Sequence, residues 1–143
     1  MQPGNNSANL VLHTAGLLLI REKRLLMAYS RNKQCFYLPG GKISESETAA
    51  EGLCREIAEE LNVLINPEDL HFYAHISAPA FGETAGVIME QDCFRLFKTV
   101  QPMAAAEIEE LRYFSLEDYR KEDYQAPGAL SILEKLKADN LVD

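Results

Sequence analysis

GKISESETAAEGLCREIAEELNV, residues 41–63, is the stretch that decides the fold. At about 100° per residue, apolar side chains within it recur at helical spacing and predict one buried stripe, formed by Leu53, Ile57 and Leu61. Three acidic side chains are spaced i, i+3 and i+4, so they share a different face: Glu56, Glu59 and Glu60. The stretch therefore predicts an amphipathic helix with separate apolar and acidic faces.

The residues around this helix predict where it begins and ends. Thr48 followed by Glu51 fits a capping box and places the start near Thr48, and the pattern continues to Leu61. Asn62 tolerates the left-handed conformation that usually ends a helix. Upstream, the turn Pro39-Gly40-Gly41 permits backbone angles that other residues resist, so a phosphate or a metal ion can approach the main chain.

The acidic face requires a positive partner. Carboxylates crowded on one face repel each other, and a hard divalent cation with phosphate oxygens completing its shell would neutralise them. Arg55 precedes Glu59 by four residues, so it can pair with that carboxylate and hold its orientation. A charge run alone more often marks a solvated helix face.

The complete pattern favours function over a solvated face. It reads G-x5-E-x7-R-E-U-x-E-E-x-N-U, where U is apolar, and it resembles the Nudix box of the Nudix (MutT-like) hydrolases. Asn62 is the one departure, since the family usually has Gly there. The exact matches are Gly41, Glu47, Arg55, Glu56, Glu59 and Glu60. The resemblance implies an α/β fold, the Nudix α/β/α sandwich with a mixed β-sheet between helices.

The resemblance also implies the chemistry of the site. Nudix hydrolases cleave a nucleoside diphosphate linked to another group, X, with Mg²⁺ or Mn²⁺ as cofactor. It implies Glu56, Glu59 and Glu60 as metal ligands, with the main-chain carbonyl of Gly40 as a further one. The implied catalytic set is Glu59, Glu56, Arg55 and Glu47. In this set Arg55 orients a glutamate, and Glu47 is a supporting carboxylate.

Other groups are candidates for proton transfer and substrate binding. The general base is either a box glutamate or a later acid, namely Glu83, Glu107 or Glu110. For the substrate we expect contacts from residues near the box and at strand ends: Lys42, Gly41, Arg31 with its neighbour Lys33, and Glu83. The three histidines lie in strand-like contexts without metal-ligand spacing, so we interpret them as ordinary strand positions.

Residues 10–143 are predicted to form a single domain, preceded by a disordered leader at residues 1–9. Periodicity and turn signals predict strands at 10–20, 25–30, 35–38, 63–65, 70–78, 87–99 and 111–115, with a hairpin turn at 21–24. A final helix is predicted at 128–138.

The composition limits which binding partners and which cellular compartment we expect for the protein. A net charge of -8 argues against a nucleic-acid polymer as partner, whereas a small nucleotide bound through metal ions remains compatible. The longest apolar stretch, 10–20, is too short to span a membrane. Three cysteines without paired spacing predict reduced thiols and a cytoplasmic location. Many relatives dimerise, so the resemblance also allows a homodimer.

The identity of X stays open between alternatives. A short single-domain chain resembles the nucleoside triphosphate pyrophosphohydrolases. Pro79, sixteen residues after the box, resembles a marker of ADP-ribose pyrophosphatases, and the alternative is an ADP-ribose or nucleotide-sugar pyrophosphatase. Gly128 and Ala129 stand where MutT-type enzymes have a base-reading asparagine, which disfavours 8-oxo-dGTP. A non-catalytic nucleotide sensor, which would typically lose box glutamates, and a structural protein with an acidic helix are the remaining hypotheses.

Overall fold

Two four-stranded sheets form the centre of the fold in the computed structural model, which describes residues 10–143. The predicted leader at residues 1–9 lies outside the described residues. The first sheet has the order β5-β1-β7-β6, with bounds β1 Val11–Leu18, β5 Gly40–Lys42, β6 Leu70–Pro79 and β7 Ile88–Leu96. Because β1 and β7 run parallel while the other neighbours are antiparallel, this sheet is mixed, as predicted.

The second sheet is antiparallel and is built around β3. Its strands are β2 Ile20–Arg21, β3 Arg24–Ser30, β4 Cys35–Tyr37 and β8 Ile108–Phe114. The predicted hairpin is present, and its two turn residues, Glu22 and Lys23, both have positive φ (51° and 62°), as a type I′ turn requires. The strand predicted at 10–20 is in fact divided between the two sheets, since β1 ends at Leu18.

Helices pack on both sides of the strands. The box helix α1 spans Ala49–Leu61, a short α2 spans Leu116–Arg120, and α3 spans Pro127–Ala138. Thr48 caps α1 and forms the predicted capping box with Glu51. Asn62 has φ 56° and ψ 40°, the left-handed conformation expected of it.

Alternating side chains of the central strands serve two separate cores. The apolar stripe of α1 packs with Ala15 and Leu17 of β1, whereas α3 packs in a second cluster with Leu18 and Met27. Successive strand residues point to opposite faces of a sheet, so β1 contributes to both layers. This arrangement confirms the predicted α/β/α architecture.

Three elements differ from the predictions. The segment 63–65 is not a strand: Val63 and Ile65 are buried and Leu64 is exposed, so the side chains alternate without a paired neighbour. Strand β5 lies where a turn was expected, because Gly40 and Gly41 pair with β1. The short helix α2 was not predicted. Within residues 10–143, no helix is long and apolar enough to cross a membrane.

The histidine of β6 lies in an exposed ion-pair cluster. His75 is placed between two carboxylates of β7, with Nδ1 2.7 Å from Asp92 Oδ1 and Nε2 2.6 Å from Glu90 Oε1. Asp92 and then Glu90 raise the pKa of His75 above its ordinary 6.5, because both favour the imidazolium. The imidazole therefore ties the two strands together, as an ordinary strand residue.

Candidate active site

The glycines before the box helix bring its glutamates against the sheet. Gly40 has φ 143°, and a Cβ there would lie 2.0 Å from the carbonyl oxygen of Ala15, so only glycine fits. The Gly40 amide donates a hydrogen bond of 3.0 Å to Glu60 Oε1. At Gly41, a Cβ would lie 2.6 Å from the carboxyl carbon of Glu56. The missing side chains therefore allow two box carboxylates to lie directly on β5.

Glu60 is the buried member of the acidic face. It is 3% exposed, and burial is the main reason that its pKa rises to about 8. The charges of Glu56 and Glu107 raise this pKa further, whereas the hydrogen bond from the Gly40 amide lowers it. The carboxyl thus lies among anionic neighbours, where its charge is poorly compensated.

The other two glutamates of the face are progressively more exposed. The side chain of Glu56 is 18% exposed and that of Glu59 is 58% exposed. Within residues 10–143, no three His, Cys, Asp or Glu side chains stand so that together they could hold a metal ion. This set does not include carbonyl and phosphate oxygens, which are also ligands of hard divalent cations.

Arg55 joins the box loop, residues 43–48 between β5 and α1, to the helix. Its guanidinium donates to Glu47 through Nη2 (2.7 Å) and Nε (3.2 Å), and to Glu56 Oε2 through Nη1 (2.8 Å). Nη2 also donates to the Lys42 carbonyl at 3.1 Å. The predicted partner, Glu59, is 3.8 Å away. Arg55 therefore orients mainly Glu47 and Glu56, because the loop folds back over the helix.

Glu47 is held as a carboxylate by these contacts. The hydrogen bonds from Arg55, and next the one from the Ser44 amide, lower its pKa to about 2. Both carboxylate oxygens accept from Arg55, and Oε1 also accepts from Ser44. Glu47 thus joins the loop to Arg55 of the helix.

A cleft of about 400 Å³ begins beside the box loop and continues across the first sheet to the start of α3. Of the expected substrate contacts, Gly41, Lys42 and Glu83 line it. Arg31 does not line it: its side chain is 80% exposed and pairs with Glu109 at 2.6 Å. Loop residues after a strand end can point either way, and the sequence spacing did not resolve this.

Lys33, which was expected together with Arg31, does line the cleft. Its ammonium lies 4.8 Å from the centre of the Tyr37 ring. A Cβ on Gly82 would lie 3.3 Å from Cγ of Lys33, so the lysine stem also packs against the loop after β6. The cleft therefore has two lysines, Lys33 in the loop between β3 and β4 and Lys42 at the end of β5.

The structure separates the candidates for the general base. Glu83 and Glu107 line the cleft, and Glu107 also lies close enough to Glu60 to raise its pKa. Glu110 is engaged elsewhere: its Oε2 accepts from Nη2 (2.8 Å) and Nε (3.1 Å) of Arg112. Two later acids are thus positioned near the box.

Several cleft residues escaped the sequence analysis. Tyr37 lines the cleft, and burial, with the nearby charge of Glu60, raises its pKa to about 12. Thr14 and Gln91 are buried polar residues of adjacent strands that also line it. The signal for Gln91 was a polar residue on the strand face that it shares with Met89 and Cys93.

A buried tyrosine fixes the far end of the cleft. The Tyr119 hydroxyl donates to the Phe36 carbonyl (2.6 Å) and accepts from the Ala126 amide (2.9 Å). These bonds hold the start of α3 against β4. The start consists of small residues, including Gly128 and Ala129, which line the cleft. The helix start thus contributes space rather than side-chain contacts.

Comparison with known proteins identifies the family and the fold. The family model described as NUDIX domain matches residues 6–136. The comparison with curated proteins found no match.

Three solved structures illustrate the likeness of fold. The MutT NUDIX hydrolase from Burkholderia pseudomallei has a TM-score of 0.74 at 20% identity, over 90% of this chain and 99% of that one. An Ap4A hydrolase from C. elegans has a TM-score of 0.65 at 20% identity, over 90% and 97%. A bifunctional NMN adenylyltransferase/ADP ribose pyrophosphatase from Francisella tularensis was solved with AMP and a Mn ion. It has a TM-score of 0.65 at 21% identity, over 90% of this chain and 41% of that one.

At these identities the structural likeness establishes the fold, while the family match covers most of the chain. The box glutamates, the arginine that orients two of them and the adjoining cleft are all in place. The chain therefore belongs to the NUDIX domain family and is an enzyme of the Nudix pyrophosphohydrolase type.

Proposed function

We propose that this enzyme is a Mg²⁺-dependent nucleoside triphosphate pyrophosphohydrolase, which cleaves a phosphoanhydride bond of its nucleotide. The observation that carries the proposal is the continuity of box and cleft. Gly41 and Lys42 are the first two residues of the box and also line the cleft. The buried Glu60 carboxyl accepts a hydrogen bond from the adjacent Gly40 amide. A polyphosphate in the cleft would thus adjoin the acidic face.

The residues fit a hard divalent cation. Glu60 is a buried carboxyl with Glu56 and Glu107 as anionic neighbours, and oxygen donors of this kind are the ligands that Mg²⁺ prefers. Glu56, Glu59 and Glu60 would hold the ion, with the carbonyl of Gly40 as the further ligand implied by the family. When bound, Mg²⁺ offsets phosphate charge and lowers the pKa of coordinated water. Mn²⁺ prefers the same donors.

The protein side chains then perform distinct tasks. Lys42, at the end of β5, and Lys33, in the loop between β3 and β4, bind phosphate oxygens and so hold the chain of phosphates in line for attack by water. Arg55 holds Glu56 and Glu47 in position. The proton of the attacking water goes to a glutamate, either in the box or at Glu107 or Glu83, the two later acids of the cleft.

One observation favours a second candidate function. Pro79, the residue that resembles a marker of ADP-ribose pyrophosphatases, lines the cleft. It ends β6 and begins the loop that carries Glu83. An ADP-ribose or nucleotide-sugar pyrophosphatase would use this loop to contact the second sugar. The proposed chemistry at the box is the same in both cases.

A cytoplasmic location also remains our proposal. Cys35, Cys54 and Cys93 are free thiols, and two of them are buried, which is the usual state of cysteine in a reducing compartment. Small nucleotides are the proposed partners, and homodimerisation is a prediction from the family resemblance alone.

A hydrolysis screen tests the proposed function. The purified protein would be incubated with Mg²⁺ or Mn²⁺ and each of the NTPs, dNTPs, oxidised nucleotides, ADP-ribose, nucleotide sugars and dinucleoside polyphosphates. We expect the fastest turnover with a nucleoside triphosphate, releasing pyrophosphate and the nucleoside monophosphate. Faster release of AMP from ADP-ribose would favour the alternative, and no hydrolysis of any member with either ion would contradict both.

A further inference from the structure

Gln91 is a buried polar residue on the floor of the cleft. It lies in the middle of β7, is 6% exposed, and shares its strand face with Met89 and Cys93. Strand faces that point into a core are normally apolar, because a buried polar group costs free energy unless it is hydrogen-bonded. A carboxamide at this position therefore needs a partner.

The protein supplies that partner poorly. Within residues 10–143, the one hydrogen bond of the Gln91 side chain is accepted from the Cys93 thiol, at an S···O distance of 3.9 Å. The amide end lies against Gly16, where a Cβ would be 3.1 Å from both Cδ and Nε2 of Gln91. A carboxamide has two donors and one acceptor. Most of this capacity is unused by the described residues and lies beside the cleft.

The register of the sheet places this amide at a defined distance from the box loop. Thr14 of β1 is paired with Lys42 of β5 on one side and with Gln91 of β7 on the other. Neighbouring strands lie about 4.8 Å apart, so the Cα atoms of Lys42 and Gln91 are separated by roughly 10 Å across the floor. A nucleotide whose phosphates lie at Lys42 can therefore extend its base along the floor towards Gln91.

The surroundings of Gln91 suit a flat ring. Leu12, Met89 and Phe81 line this part of the cleft with apolar surface. On the opposite side the start of α3 has small residues, and Gly128 lets the Met89 methyl approach: a Cβ there would be 2.5 Å from it. Apolar walls with a single convergent polar group are typical of pockets that orient a ligand.

We propose that the Gln91 carboxamide reads the hydrogen-bonding edge of the substrate's nucleobase. The Thr14 hydroxyl beside it donates to the Glu90 carbonyl at 3.4 Å, so it contributes an acceptor. This inference rests on the proposed function, because it assumes that phosphates occupy the box end. The substrate class is a nucleotide whose base edge places a donor next to an acceptor, which a carboxamide matches with two bonds. Gln91 is a specificity residue and takes no part in bond cleavage.

The first test compares base selectivity in Gln91→Met, which keeps length and removes the amide, with the wild type. A matched control is Gln101→Met, the same change at an exposed loop position. With Mg²⁺ and the four common NTPs, we expect Gln91→Met to raise KM for the preferred base on the order of 10-fold to 100-fold. We expect kcat to stay within about threefold, because the contact is uniform binding. Unchanged kcat/KM ratios between bases would overturn the inference.

The second test needs no turnover. Metal-free wild-type protein labelled with ¹⁵N would be titrated with AMP, GMP, CMP and UMP, and the side-chain NH₂ resonances of Gln91 and Gln101 followed. We expect base-dependent shifts at Gln91 and none at Gln101. Shifts without hydrolysis of any nucleotide would refute the proposed function and support this inference. Hydrolysis without any shift at Gln91 would support the proposed function and refute this inference.

Discussion

Replacing Arg55 with lysine tests how the box carboxylates are positioned. The substitution keeps the positive charge but removes the planar group that donates to Lys42, Glu47 and Glu56 at 2.7–3.2 Å. A lysine ammonium is a compact donor and cannot span the same acceptors. Glu56 and Glu47 would then lose their fixed orientation while the helix remains formed.

The magnitudes follow from exposure and geometry. The Arg55 side chain is 41% exposed, so solvent screening limits the loss of unfolding free energy to about 1 kcal/mol. Activity should suffer more, because a displacement of about 1 Å in a catalytic group can cost on the order of 100-fold in rate. We expect kcat to fall by about 10-fold to 100-fold.

The assay pairs Mg²⁺-dependent turnover with urea denaturation. Arg112→Lys is the matched control, since this guanidinium also donates two hydrogen bonds to a carboxylate (Glu110 Oε2) and its side chain is 48% exposed, but it lies on β8 outside the box. The control should show a similar small loss of stability and turnover within about twofold of wild type. The reasoning is refuted if Arg55→Lys keeps wild-type turnover, or if both variants lose activity equally.

Three further substitutions test the framework, each by urea denaturation. Gly40→Ala should cost at least about 3 kcal/mol, because φ is 143° and the new Cβ would meet the Ala15 carbonyl; wild-type stability would contradict this. Tyr119→Phe should cost about 1–3 kcal/mol, because the buried Ala126 amide loses its acceptor and the Phe36 carbonyl keeps only the weaker bond from the Cys35 thiol. His75→Asn should be less stable than wild type by up to about 1 kcal/mol at pH 6. The pKa of His75 is higher in the folded state than its ordinary 6.5, so the imidazolium contributes its full stabilisation only below pH 6.5. This difference should vanish as the pH rises through the folded-state pKa of His75.

The local features of the box could be predicted because they depend on short-range geometry. The spacing of Leu53, Ile57 and Leu61 and the capping pair at Thr48 and Glu51 specify α1 without reference to the rest of the chain. Such periodicity is the strongest signal available in a single sequence. The glutamates that share a helix face were found for the same reason.

The cleft could not be predicted, because it joins residues that are distant in sequence. The pairing of β7 with β1 places Gln91 two strands from Lys42, and only this pairing makes it a cleft residue. Arg31 and Lys33 are two residues apart in the chain, yet Arg31 pairs with Glu109 whereas Lys33 lines the cleft. Tertiary pairing decides such positions, and local spacing carries no information about it.

The central claim is that the box glutamates perform metal-dependent hydrolysis, and their isosteric amides test it most directly. The measurement is kcat for Mg²⁺-dependent release of pyrophosphate by wild type, Glu59→Gln and Glu60→Gln, with the exposed Glu68→Gln as control. We predict that both box variants fold and lose on the order of 1,000-fold in kcat while the control keeps wild-type turnover. Wild-type turnover in a folded Glu59→Gln or Glu60→Gln variant would contradict the account.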